Sequence, residues 1–223
     1  MTEIRKAFHE ELEEVSDAVM RLSALAAEAI NAATDALLSG DLFGTEAVIT
    51  GDRAIDDLAH EIEDRCFELL ARQSPMAVDL RALMAALRIV HELERIGDNM
   101  VNIAKGARRL YPNELDPAIR GILDRMRDQA LSQLRVATTA FGERDAVRAS
   151  AVPDMDDVMD DLQRDLFRVV FATSADHEAA LERAVGIALV GRYFERVADH
   201  AVNAAERVTF MVTGSFRGAP AAD

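Results

Sequence analysis

The chain has 223 residues, of which 50% are hydrophobic and 29% charged, a balance that supplies a sizeable core and excludes a disordered chain. Its formal charge of −15, from 40 acidic against 25 basic side chains without a Lys/Arg cluster, disfavours nucleic-acid backbones and anionic lipid and suits cations or basic protein surfaces. Only 11 Gly, 5 Pro and no Trp accompany abundant Ala, Leu, Glu, Arg and Met, so the residue choice favours helix throughout.

Met1-Thr2-Glu3-Ile4-Arg5-Lys6 leads into Phe8-His9-Glu10-Glu11 without an apolar signal core. No later apolar stretch approaches the roughly 18 residues of a membrane span, so a cytoplasmic protein is expected. From Ile4 the apolar positions fall at Phe8, Leu12, Val15, Val19, Leu22, Ala26, Ile30, Ala33 and Leu37, the spacing of one long amphipathic helix. Gly40 and Gly44 flank a break, and a second helix is expected from about Thr45 to Arg72 with a bend at Gly51-Asp52. Cys66, the only cysteine, excludes an intramolecular disulfide and reads as a small buried hydrophobe within Arg65-Cys66-Phe67. Ser74-Pro75 ends that helix and opens a third, Met76 to Arg109, because proline is tolerated in a first turn.

Leu110-Tyr111-Pro112-Asn113 marks a boundary between halves. Asp116-Pro117 then opens a helix to about Phe141, ended by Gly142; Pro153 punctuates the next, and Ser174-Ala175-Asp176 precedes a last helix to about Thr213. Three helices occur twice. The expected fold is all-α, two tandem three-helix bundles over residues 1–111 and 112–214, followed by a frayed tail, 215–223.

Glu94-Arg95-Ile96-Gly97-Asp98-Asn99-Met100-Val101-Asn102-Ile103-Ala104 in the third helix returns as Glu195-Arg196-Val197-Ala198-Asp199-His200-Ala201-Val202-Asn203-Ala204-Ala205 in the last, 101 positions on. Glu, Arg, Asp, Val, Asn and Ala match at that one offset, which points to a duplication. The middle helices match too, Asp52-x-x-x-Asp56-Asp57-Leu58 against Asp156-x-x-x-Asp160-Asp161-Leu162 at an offset of 104, so the second half has a connection three residues shorter.

Residues four apart share a helix face, so each middle helix offers two carboxylates in a stripe and each third helix two carboxylates and an Asn. Like charges at that spacing repel by roughly 0.2–0.5 kcal/mol per pair, more when partly desolvated, and something must compensate. If the stripes face each other, Asp52, Asp56, Glu94 and Asp98 in one half, and Asp156, Asp160, Glu195 and Asp199 in the other, form oxygen cages for hard or borderline cations such as Mg²⁺, Mn²⁺, Ca²⁺, Zn²⁺ or iron. The bland reading is a solvated acidic face paired with neighbouring Arg. Asn102 and Asn203 suit interhelical hydrogen bonds as well as ligation.

These motifs resemble the PhoU family, accessory and regulatory proteins of phosphate-specific transport, and its actinobacterial members in particular. The likeness is carried by the paired acid-x-x-x-Asp motifs and by the Gln73-Ser74-Pro75-Met76-Ala77-Val78-Asp79-Leu80-Arg81 turn into the third helix. The runs Gly191-Arg192-Tyr193-Phe194-Glu195-Arg196 and Phe210-Met211-Val212-Thr213-Gly214 carry its actinobacterial character. The resemblance implies a bundle of two three-helix repeats, a cytoplasmic protein often found as a homodimer, and multinuclear iron or other divalent clusters at the paired motifs in some members. It further implies partners in the transporter ATPase subunit and the phosphate-sensing histidine kinase, with uptake and signalling restrained when phosphate is plentiful. Here the middle-helix motifs begin with Asp where the family carries Glu, one bond shorter.

Two other readings compete: a metal-free helical adaptor, and a di-metal carboxylate enzyme. The enzyme signature Glu-x-x-His is missing, since Gly97 and Ala198 stand three after Glu94 and Glu195; His91 has Arg192 as its counterpart in the second half. With no Gly-rich phosphate loop or nucleophile elbow either, an enzyme is not expected.

Overall fold

In the computed structural model of the chain, described over residues 2–73, 75–173 and 178–215, helices account for nearly all of the backbone. The first is α1 (Thr2–Ser39), and every position of the apolar stripe from Phe8 to Leu37 is buried. It ends at Gly40, whose φ of 67° is the left-handed conformation that glycine adopts without cost.

The expected second helix is two helices, α2 (Leu42–Gly51) and α3 (Arg53–Gln73), meeting at Asp52. The helix starts ahead of Thr45 because the Asp41 carboxylate accepts from the Phe43 N–H at 2.9 Å and caps it there. α4 (Val78–Leu110) begins two residues after Met76, behind Ala77 at φ 48°.

In the second half α5 (Pro117–Glu143) opens on an Asp116 cap with Pro117 in its first turn. It runs through Gly142 and ends at Arg144, where φ is 52°. A short α6 (Ala146–Ala149), capped by Asp145, precedes α7 (Val152–Thr173), which carries Pro153 in its first turn. α8 (Glu178–Thr213) ends at Gly214, φ 78°. Ser74, the Ser174-Ala175-Asp176 connection and the tail beyond Ser215 lie outside the described residues.

α1, α3 and α4 pack together, as do α5, α7 and α8, and the buried stripes of α1 and α5 correspond at 104 positions: Val19 with Leu123, Ile30 with Leu134, Ala33 with Ala137. The two sets then join along α4 and α8, the most extensive helix pair, and along α1 and α5. α4 and α8 run antiparallel: Arg81 Nε donates to the Met211 carbonyl at 3.2 Å near one end, and Leu110 lies against Gly186 at the other. Leu93, Ile96 and Met100 of α4 and Phe194 and Val197 of α8 are wholly buried in one continuous core. Cys66 is buried there as expected, and desolvation pushes its thiol up to about 12, which leaves it inert as a nucleophile.

Candidate metal centres

The α2–α3 joint sets Asp52 against α4. A Cβ on Gly97 would stand 2.8 Å from Asp52 Oδ1, so this approach of carboxylate to helix depends on glycine. Burial raises the Asp52 carboxyl to about 6, aided by repulsion from Asp56, Asp98 and Glu94, with Lys105 acting the other way. The Asp56 carboxyl is pushed up as well, by desolvation and then by Glu94 and Asp98. The four acids of the first half are thus electrostatic neighbours across α3 and α4. His91 Nδ1 lies 3.4 Å from Glu94, and Arg95 donates to Asp98 at 2.8 Å.

The second half repeats the arrangement. Asp156 is pushed up by burial and by Asp199 and Asp160, although Gln133 Nε2 donates to its Oδ1 at 3.1 Å. Glu195 is pushed up by burial and Asp199, while Arg192 on the same helix pairs with it and pulls the other way. Its Oε2 is buried and has no hydrogen-bond partner. Asp199 is raised by desolvation, against Arg192 and His200.

In each half the acids of the two stripes thus lie within electrostatic reach of one another. The donor set is all oxygen, self-repelling and partly desolvated, and in the second half it includes an orphaned carboxylate oxygen, so the residues fit a hard cation. Among the described residues, however, no three His, Cys, Asp or Glu side chains converge as a ready coordination site. Several of these acids are turned to on-helix bases instead.

The two asparagines part ways. Asn203 Nδ2 donates to Glu92 Oε2 at 3.3 Å, across the α4–α8 seam. Asn102 is half-buried on α4. Glu92 itself was not singled out by the sequence pattern. It is 8% exposed, and His200 Nδ1 lies 2.8 Å from the same oxygen. Burial alone would raise the Glu92 carboxyl, but the hydrogen bonds with His200 and Asn203 outweigh it and hold the group below its usual value. The available signal was a lone acid on the apolar stripe between Ile89 and Ile96.

The family model of the PhoU domain matches this chain twice, over residues 19–107 and 123–208. The chain belongs to the PhoU family. Relatives span its length: a phosphate-specific transport system accessory protein PhoU homolog 1 from Mycobacterium leprae is 38% identical over 214 residues, covering 96% of each chain. A PhoU homolog 2 from Mycobacterium tuberculosis is also 38% identical and is covered completely, with 96% of this chain aligned. The crystal structure of PhoU from Pseudomonas aeruginosa superposes with a TM-score of 0.87 at 29% identity, covering 93% of this chain and all of that one. The PhoU regulatory protein from Streptococcus pneumoniae gives 0.86 at 30% identity, covering 94% and 98%. The all-α double repeat is the PhoU fold, and the PhoU relatives are named as accessory or regulatory proteins of phosphate transport, not as enzymes. No helix among the described residues is long and apolar enough to cross a membrane.

Proposed function

We propose that this PhoU protein restrains phosphate uptake and phosphate-responsive two-component signalling, as a cytoplasmic, homodimeric helical adaptor between the transporter ATPase subunit and the phosphate-sensing histidine kinase. It holds divalent or iron cations at one carboxylate cluster in each of two repeat units, 1–111 and 112–214. Asp52, Asp56, Glu94 and Asp98, with Asn102 on the same helix, are the donors of the first unit; Asp156, Asp160, Glu195 and Asp199 are those of the second. A bound cation supplies the positive charge that each set of acids lacks.

What supports the cation reading is the grouping of acids at matching places in both halves, with Asp52 set against Gly97 and Glu195 Oε2 buried without a hydrogen-bond partner, and burial and neighbouring acids pushing Asp52, Asp56, Asp156, Glu195 and Asp199 upward. The regulatory reading rests on full-length likeness to named phosphate-transport accessory proteins. Elemental analysis of protein purified without chelator tests the first: cation bound by wild type and lost from the Glu94→Ala/Asp98→Ala variant is the expected result. Phosphate uptake in a strain lacking the gene tests the second: uptake should continue in phosphate-rich medium and be restrained again when the gene is restored.

A further inference from the structure

The first half contains a cleft of about 410 Å³ between α1, α2 and α3, within the size range of ligand-binding cavities, roughly 300–1,000 Å³. Its walls are small and apolar: Ala29, Ala32 and Ala36 from α1 face Gly44, Ala47 and Val48 from α2. Its charged lining is acidic throughout, from Glu28, Asp35, Asp41 and Asp52, and no Lys or Arg lines it. Asp35 also meets Arg127 of α5 at 3.4 Å, and Asp41 caps α2.

The second half carries longer side chains in the corresponding place. At the 104-residue offset that relates α1 to α5, Leu25, Ala29 and Ala32 become Gln129, Gln133 and Val136. Gln129 donates to the Met155 carbonyl at 2.6 Å and the fully buried Gln133 donates to Asp156, tying α5 to α7. α6, which stands where α2 stands, has four residues against ten. One copy of the repeat is filled by glutamine side chains that tie α5 to α7, and the other is lined by alanine and glycine.

We propose that this cleft docks an amphipathic helix of a basic partner protein, with apolar side chains on the alanine floor and Lys or Arg against the acidic rim. The shape argues for a helix: the α1 wall runs from Leu25 to Ser39, about 21 Å at 1.5 Å per residue, and small residues let a second backbone come close. The charge argues for a basic one. Glu28 and Asp35 lie seven residues apart, two turns on one face, which matches cations repeated along a partner helix.

The probe is an idealised Leu/Lys amphipathic helix of about five turns, fluorescently labelled, with a Leu/Glu helix of equal length as control. Binding is followed by anisotropy in chelator, so the result reads out whether or not the proposed cation sites exist. The Leu/Lys helix should bind wild type and the Leu/Glu helix should not. Ala32→Trp and Ala47→Trp, both exposed positions on opposite walls and each checked for folding by circular dichroism, should each weaken binding at least about tenfold. Glu28→Gln/Asp35→Asn should weaken it several-fold, while Glu13→Gln/Asp17→Asn, farther along α1, should change it by no more than about twofold. Wild-type affinity in a folded Trp variant overturns the proposal, as does equal damage from the Glu13/Asp17 pair. So does a wild-type dimer that Ala32→Trp alone dissociates in sedimentation, which would give the cleft to a second copy.

Discussion

In the first half, burial and three neighbouring acids hold Asp52 at about 6, with Lys105 as its countering charge; in the second, the same position is Asp156 and accepts a hydrogen bond from buried Gln133. The acids of the repeat are kept at matching positions, but Ala29 stands where Gln133 does and provides no donor. Duplicated charge thus has two kinds of support, a neutral amide built into one copy and the charge of Lys105, without a matching amide, beside the other.

The largest effect lies where the repeat symmetry is broken outright. Glu92 and His200 meet once, because their counterparts are Tyr193 and Asn99. Glu92→Ala leaves the half-buried His200 and Asn203 without this partner in the α4–α8 seam and should cost about 3 kcal/mol in chemical denaturation. Because the folded carboxyl is held below its ordinary 4.5, its stabilisation is full above that value and is lost as pH falls through the lower folded value. A cost that stays constant down to strongly acidic pH would contradict the pairing.

Next comes the exchange of the amide. Gln133→Ala removes a fully buried side chain and the donor to Asp156, and should destabilise by about 2 kcal/mol. The reciprocal Ala29→Gln, which carries the donor into the first half, should stabilise by roughly 0.5–1 kcal/mol. If both changes are neutral, Gln133 is not what distinguishes the two clusters.

Asp52→Asn should raise the melting temperature in chelator at neutral pH by removing a charge that folding raises in energy. A carboxyl raised from 3.8 to about 6 favours the folded state only when protonated, so wild type gains on the variant as pH falls from about 6 and the difference closes below 3.8. An advantage that does not vary with pH would break the comparison at its charged end.

Much of this was legible along the chain. The α1 stripe, the doubled Glu-x-x-x-Asp and the grouping of each set of acids on one face all follow from residues sharing one side of one helix, which spacing encodes. Gln133 and the Glu92–His200 pair were not legible, because each makes its contact with a different element and nothing in its own helix names that partner. The joint at Asp52 falls where the Gly51-Asp52 bend was expected, whereas the early start of α2 was missed for a local reason: the Asp41 carboxylate accepts from the Phe43 N–H and begins the helix ahead of Thr45.

The most direct test of cation binding is a thermal melt of wild type, Glu94→Ala/Asp98→Ala and Glu195→Ala/Asp199→Ala, each in chelator and with Mn²⁺ or Mg²⁺. In chelator both double variants should equal or exceed wild type, since alanine favours helix and the acids repel. With cation at a hundredfold excess over Kd, wild type should gain about 2.7 kcal/mol per occupied site, and each variant should lose the gain from its own half. A wild-type melting temperature that ignores every divalent cation, together with double variants less stable than wild type in chelator, would mean that the acids serve structural pairing and hold no metal.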